Sequence, residues 1–180
     1  MPRGPLPTDC RPMRTIARPA RHPATILAAL LLAACSPQAG KKGGTLVIGG
    51  DHRLPSSALD QTIGRGIGDP TTCVLIADKT TGKVLYQYGE IFNCVRALPA
   101  CDRPGVLSAR QALAFATLPD GRETSCNSVP DGSRMVGWAQ GPVGPKSPNL
   151  VYSAVMEGQK ALPGHEMAAR LSDEFQNAGL

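Results

Sequence analysis

The amino-acid sequence predicts an α+β fold, in which an antiparallel sheet built from two hairpins and further strands packs against helices, including a C-terminal amphipathic helix. Two pairs of strand-like runs, each joined by a short turn, predict the hairpins: 72–78 with 83–89, and 124–129 with 134–140. Apolar residues recur at helical spacing near the C-terminus: Met167, Leu171, Phe175 and Ala178. Together these patterns place hairpins and helices in one layered domain.

The N-terminal half of this domain opens with a short helix, which Ser56 or Ser57 caps and which the glycine-rich stretch 64–68 ends. In the first hairpin, the run 72–78 is apolar on both faces, as in a central strand. The run 83–89 alternates instead and places three side chains on one side: Val84, Tyr86 and Tyr88. One face of the second run is therefore expected to meet the core.

The C-terminal half continues with a helix over 108–115 that Ser108 caps, and with a turn at 119–121. After the second hairpin, three prolines make 141–149 an exposed connection to a strand at 150–156. The last helix is expected to run from about 163 to 178.

Two details support that last helix, since Glu166 and Arg170 form a favourable i, i+4 pair and Gly179 supplies a stop. The predicted order is α-β-β-α-β-β-β-α, with one layer of helices and an extra strand within 45–48 ahead of it. This order resembles that of profilin-like and PAS-like sensor domains, and also the sheet and terminal helices of serine β-lactamases. The resemblance lies in element order and not in motifs.

Residues 1–34 predict a signal peptide, because a basic stretch precedes an apolar run at 25–34 that is well short of the roughly 20 residues of a transmembrane helix. The run ends in Leu32-Ala33-Ala34-Cys35. This segment resembles the lipobox of bacterial lipoproteins. The resemblance implies cleavage before Cys35 and a diacylglyceryl thioether on its sulfur. Met13 begins a more conventional leader than Met1 and is an alternative start of translation.

The chain is thus expected to comprise a signal peptide (1–34), a lipidated cysteine with a flexible tether (35–55) and one globular α+β domain (56–180). The expected location is the cell envelope, with the protein held by lipid on a membrane and facing the periplasm. Ser36 stands where an aspartate would favour inner-membrane retention in enterobacterial lipoproteins, which favours the outer membrane. The lipid bilayer is then the first partner, through acylated Cys35.

The net charge of +5 does not indicate a nucleic-acid binder. Five of the 19 basic residues and only one of the 14 acidic residues lie in the leader, so the mature chain is close to neutral. A nucleic-acid-binding domain normally keeps a basic face of its own. No nucleic-acid partner is therefore expected.

Four cysteines remain in the mature domain once Cys35 is assigned to lipid: Cys73, Cys94, Cys101 and Cys126. An even number in a chain routed to an oxidising compartment favours disulfides. Three pairings are possible, and we favour Cys94–Cys101 with Cys73–Cys126, the first closing a short loop and the second joining two strand regions. Zinc binding is less well supported, since the sequence contains no C-x-x-C.

Catalytic motifs are incomplete in this sequence. Penicillin-recognising enzymes need S-x-x-K, S-x-N and K-T-G in that order. Ser125-Cys126-Asn127 matches S-x-N in form only, Ser108 is followed three places on by Gln111, and Lys79-Thr80-Thr81-Gly82 comes too early. His52 and His165 complete no metal motif, and the glycine pairs near the N-terminus form no phosphate loop. We assign no catalytic residue, metal or cofactor.

A binding role fits the sequence better than catalysis. Four aromatic residues on predicted strands are candidate ligand-facing residues that could line one sheet face: Tyr86, Tyr88, Trp138 and Tyr152. We therefore predict a membrane-anchored envelope lipoprotein whose domain binds a periplasmic protein or small ligand, as a sensor, accessory or structural component. The alternative is an envelope hydrolase distantly similar to the penicillin-recognising enzymes but lacking their S-x-x-K motif.

Overall fold

The structure is a computed structural model that describes residues 45–47, 53–118 and 121–180. The predicted leader, the lipid acceptor Cys35, His52 and most of the predicted turn at 119–121 lie outside the described residues. All structural statements below concern the described ranges.

Nine strands and four helices follow one another in the described part of the chain. They are β1 (Thr45–Val47), β2 (Arg53–Pro55), α1 (Ser56–Ile67), β3 (Cys73–Asp78), β4 (Val84–Tyr88), α2 (Ile91–Val95), β5 (Leu98–Pro99), β6 (Val106–Leu107), α3 (Ala109–Ala112), β7 (Arg122–Asn127), β8 (Met135–Pro142), β9 (Leu150–Gly158) and α4 (Gly164–Asn177). A 3-10 turn over Leu113–Phe115 continues α3. Five strands form an antiparallel sheet in the order β4-β3-β9-β8-β7, while β1 pairs with β2 and β5 with β6. The predicted α+β fold is confirmed.

Helices cover both faces of the sheet, and not one face as the sequence suggested. Helices α1 and α4 pack against one face, where Leu59, Ile63 and Phe175 are buried. Helices α2 and α3 pack against the other face, where Ala112 and Trp138 are buried. The central strand β9 is buried at every position, so both faces need a cover.

Helix α1 ends within the predicted glycine-rich stretch, but only at Ile67, with Gly68 as its C-cap. It begins at Ser56 after Pro55, without a side-chain cap, and continues through the glycines at 64 and 66. A Cβ atom at Gly66 would lie 3.4 Å from the carbonyl oxygen of Arg170 in α4. The glycine therefore permits close packing of the two helices, and this contact offsets its low helix propensity.

Strand β4 is irregular at its start. The register between β3 and β4 shifts at Ile76/Ala77. Tyr86 and Tyr88 consequently face α1, whereas Val84 packs against the opposite cluster. The predicted grouping of these three side chains on one side is wrong for Val84, because a bulge moves a residue to the other face.

The remaining predicted elements are present. Met167, Leu171 and Phe175 are buried, the Arg170 guanidinium donates to the Glu166 carboxylate over 2.6 Å, and Gly179 follows the helix with φ of +79°. Ser108 caps α3 in a capping box with Gln111. The periodicity that predicts α4 and the capping serine that predicts α3 are thus both confirmed.

Both disulfides exist, but not in the predicted pairing. The bonds join Cys73 to Cys94, with Cα atoms 5.2 Å apart, and Cys101 to Cys126, with Cα atoms 5.3 Å apart. Strands β9 and β8 lie between β3, which carries Cys73, and β7, which carries Cys126. That puts the two strands about 14 Å apart, well beyond the roughly 7 Å a disulfide spans.

Candidate functional site

Helix α2 exposes apolar side chains that a folded domain would ordinarily bury. Ile91, Phe92 and Val95 are 69%, 64% and 64% exposed. They are three of the six large hydrophobic side chains exposed in the described part of the chain. We call these three residues the α2 surface. Concentrated apolar exposure of this kind marks an interaction site more often than scattered single residues do.

The other side of α2 is firmly attached to the sheet. Cys94 is buried and bonded to Cys73 of β3. The Asn93 side-chain amide donates to the carbonyl oxygen of Pro70 over 2.8 Å, and the Arg96 guanidinium donates to the Glu157 carboxylate over 2.9 Å. Because these contacts fix the rotation of the helix, its apolar residues cannot turn into the core.

Two depressions flank the end of strand β4 beside this surface. The first is an open cleft of about 700 Å³. The second is narrower, about 190 Å³. Gln87 and Ile91 line both, so the depressions are adjacent, and we call the two together the β4 groove.

The two ends of the β4 groove differ in chemistry. The first depression lies against the end of α1 and is lined by Tyr88, Asp69 and Glu90. The side-chain and backbone hydrogen bonds of Thr71 hold the pKa of Asp69 below its usual value, which keeps this carboxylate charged. The second depression is lined by three apolar residues and two polar ones: Leu75, Cys94 and Val95, then Ser108 and Arg110.

The four predicted ligand-facing aromatics do not line one face. Trp138 is fully buried on the α2 and α3 side, and its indole N–H donates to the carbonyl oxygen of Pro99 over 2.7 Å. The three tyrosines lie on the α1 and α4 side. The prediction fails because of the strand register. Trp138 pairs with Val155 and shares its face, and Tyr152 is three residues from Val155, so its side chain points to the opposite face.

Among those tyrosines, Tyr88 reaches the β4 groove. Tyr86 is buried and donates its hydroxyl to Asp60 over 2.7 Å. Burial, with that hydrogen bond, raises the pKa of Tyr86, and burial likewise raises the pKa of Tyr152, whose ring packs 5.5 Å from that of Phe175. Tyr86 and Tyr152 are therefore core residues, and Tyr88 is the aromatic residue available to a ligand.

The residues that formally matched a serine acyltransferase are not brought together. Ser108 caps α3, where its hydroxyl accepts from the backbone N–H of Gln111 over 3.4 Å. Ser125 aligns with Gly137 and Met156, so it faces the opposite side of the sheet. Lys79 starts the β3–β4 turn, and no group of three potential metal ligands occurs among the described residues. The geometry supplies no base for either serine.

Sequence reasoning missed a polar cluster at Glu157. This carboxylate is 3% exposed and accepts from Arg96, from the Arg134 guanidinium over 2.7 Å and from the Ser128 hydroxyl over 2.7 Å. The Arg134 hydrogen bonds, with those of Ser128 and Arg96, hold the pKa of Glu157 at about 2. The sequence does contain a signal for this cluster, because Glu157 directly follows the apolar run 150–156 and would need a partner if that strand is buried.

The sequence does not predict the α2 surface either, because the pattern of cysteines places 94–101 in a disulfide loop. The available signal was the pair Ile91-Phe92 next to Cys94-Val95, four residues with little polarity in a stretch too short to form a buried element. Exposure itself is a tertiary property, because it depends on how the Cys73–Cys94 bond orients the helix.

Comparisons with models of protein families, with curated proteins and with solved structures find no match. Within the described part of the chain, no helix has the length and apolar character that crossing a membrane requires. The activity of the domain must therefore be argued from its own surface.

Proposed function

We propose that this protein is a lipid-anchored component of the bacterial envelope whose domain binds a protein partner in the periplasm through the α2 surface. One observation carries the proposal: Ile91, Phe92 and Val95 are exposed on a five-residue helix that a disulfide and a buried ion pair hold in place. Because the backbone of this apolar projection is already held in place, it loses less conformational freedom on binding than a mobile segment would, which favours association.

The expected location is compatible with the domain. Both disulfides need an oxidising compartment, and the periplasm is one. The lipobox-like segment ending at Cys35 supports export and anchoring. A tethered domain meets envelope partners at high local concentration, so even a modest intrinsic affinity is sufficient for function.

Binding is favoured over hydrolysis by the arrangement of the side chains. Ser108 and Ser125 lie on opposite sides of the sheet, and the Ser108 hydroxyl is engaged in a helix cap. His165 is exposed in the first turn of α4. The alternative hydrolase role therefore draws no support from this geometry.

The energetic scale of the proposed contact can be bounded. Full burial of a large apolar side chain contributes roughly 1.5–3 kcal/mol. The three side chains of the α2 surface thus offer several kcal/mol before the cost of association, which is of similar size. Contacts in the adjoining β4 groove are needed for a stable complex.

Photo-cross-linking in cells tests this proposal. We expect a benzophenone side chain at Phe92 to yield a discrete adduct with an envelope protein, and the same probe at Leu118, exposed but outside the α2 surface, to yield none. Ile91→Ser with Val95→Ser should abolish the adduct. Purified partner, identified from the adduct by mass spectrometry, should bind the unsubstituted protein at least about tenfold more tightly than the double variant. Equal adducts from both positions would contradict the proposal.

A further inference from the structure

We infer that the partner is bound as an extended peptide segment that adds to the sheet along the free edge of β4, with alternating basic and apolar side chains. This inference rests on the proposed function, because the α2 surface forms one wall of the β4 groove. It adds the conformation and the chemistry of the segment that is recognised.

Within the described ranges, the backbone of β4 presents unpaired groups at this edge. Among those residues β4 is the terminal strand of the sheet and pairs only with β3. Tyr86 and Tyr88 align with Ile76 and Val74. The Lys79 N–H donates to Asn149, towards β9, so alternation directs the polar groups of Ile76 and Val74 towards β4.

It follows that Tyr86 and Tyr88 direct their N–H and carbonyl groups to β3, and that Gln87 between them directs its own outward. No hydrogen bond to the Gln87 backbone occurs among the turn and loop bonds of the described residues. These outward groups are the donor and acceptor that an added strand needs.

The edge lacks two common protections against strand addition, proline and charged residues, although a bulge interrupts its start. Sheet edges are commonly blocked by proline, by charged residues or by covering segments. Strand β4 reads Val-Leu-Tyr-Gln-Tyr, without a charge or a proline. The opposite edge, β7, carries Arg122 and Glu123 and is joined by the Cys101–Cys126 bond to the segment before β6. The contrast singles out β4.

The β4 groove provides places for side chains on both faces of an added strand. Successive side chains of a strand point to opposite faces. On the α1 side they would meet Tyr88 and the carboxylates of Asp69 and Glu90, which favour a basic residue. On the α2 side they would meet Leu75 and Val95, which favour an apolar residue, and Arg110, which disfavours a basic one. The bound segment is therefore expected to alternate basic and apolar residues, with the two-residue period of a strand.

A synthetic peptide tests the inference directly. The probe is a fluorescein-labelled octapeptide of alternating lysine and valine, titrated by anisotropy into the mature chain carrying Cys35→Ser. Saturable binding is expected, and it should weaken when glutamate replaces lysine or when the lysines and valines are grouped in blocks. Glu90→Gln should weaken binding of the lysine peptide about threefold, the size of a solvent-exposed charge contact.

The backbone contact is tested at Gln87. Gln87→Pro removes the outward N–H while leaving the β3–β4 ladder intact, so we expect at least about tenfold weaker binding. Gln87→Ala loses the same groove-lining side chain but keeps the N–H, so it is the matched control and should bind several-fold more tightly than Gln87→Pro. Equal binding by both variants would overturn the inference, and so would no binding of the lysine-valine peptide.

Hydrogen exchange in the unsubstituted protein gives an independent readout, should Gln87→Pro fold poorly. The Gln87 amide should become protected when the peptide binds, whereas the Tyr86 amide, already in the ladder, should not change. If the Phe92 cross-link forms in cells but Gln87→Pro leaves it intact and the peptide does not bind, strand addition is wrong and the proposed function stands. If the probe at Phe92 gives no adduct in cells although the peptide binds in solution, the proposed function is wrong and strand addition at β4 stands.

Discussion

At the scale of single residues, the contacts of Glu157 place a charge where the domain can least easily solvate it. The carboxylate is almost completely buried, and two guanidiniums and one hydroxyl satisfy its oxygens. Such an arrangement need not be more stable than an apolar one, but removing one member leaves the others unpaired. Through Arg96, the same carboxylate also holds the C-terminal end of α2 in place.

Glu157→Gln is therefore expected to destabilise the domain by about 3 kcal/mol, measured by urea unfolding at pH 7. In the folded protein the pKa of Glu157 falls from 4.5 to about 2, so its stabilisation is complete above pH 4.5 and is lost as the pH falls towards 2. The variant should lose less stability over that interval than the unsubstituted protein. Glu174→Gln, which breaks the more exposed pair with Arg65, is the control and should cost under about 1 kcal/mol. Equal losses in the two variants would contradict the assignment.

At the scale of elements, the two disulfides attach to the sheet short segments that would not be stable in isolation. Helix α2 has five residues and β6 has two, far below the length at which an isolated element is stable. Cys73–Cys94 attaches the first to β3, and Cys101–Cys126 attaches the segment before β6 to β7. The α2 and α3 face of the sheet is thus assembled around cross-links, whereas α1 and α4 cover the other face through apolar packing.

Each disulfide should contribute about 3 kcal/mol, given sequence separations of 21 and 25 residues. We expect Cys73→Ala with Cys94→Ala to lower stability by that amount and to lower the yield of the Phe92 cross-link. Cys101→Ala with Cys126→Ala should cost similar stability with a smaller effect on the cross-link. Peptide mapping without reduction should recover Cys73 joined to Cys94; a peptide joining Cys94 to Cys101 would show the connectivity to be otherwise.

The elements that the sequence predicts correctly are those with a repeated local signal. Helix α4 has its apolar period, α3 has its capping serine, and both hairpins have two strand-like runs around a polar turn. The errors arise where distant contacts decide. Gly66 stays helical because α4 packs on it, and Val84 changes face at a bulge.

The candidate site was less predictable than the fold for the same reason. Of the four aromatic residues proposed to face a ligand, the burial of Trp138, Tyr86 and Tyr152 depends on which face of the sheet each strand position meets. Tyr88 reaches the β4 groove because strand β4 ends there, beside Gly64 of α1. The exposed edge of β4 follows from strand order, which no local pattern in this sequence encodes.

At the scale of the whole molecule, the described domain has two unlike sides. Long helices close the α1 and α4 side, and the buried residues Met167, Leu171 and Phe175 fill the space beneath them. The other side is covered by short cross-linked segments and leaves the α2 surface exposed, while the β4 groove opens on both sides of the sheet edge. In the proposed anchored protein, the tether determines where in the envelope the domain lies, and the exposed α2 surface with the β4 groove determines which partner it binds.

The anchor itself is tested by Cys35→Ser, with Cys10→Ser as the matched control. The two acyl chains of a diacylglyceryl cysteine would hold the protein stably on a membrane, because each buried methylene contributes about 0.8 kcal/mol. We expect radiolabelled palmitate to be incorporated into the unsubstituted protein and into Cys10→Ser, and incorporation to be absent from Cys35→Ser. Membrane fractionation should place the labelled forms with the outer membrane. Label retained in Cys35→Ser would show that the lipid acceptor lies elsewhere, whereas an unlabelled protein in every case would remove the anchor and leave the binding surface to act in solution.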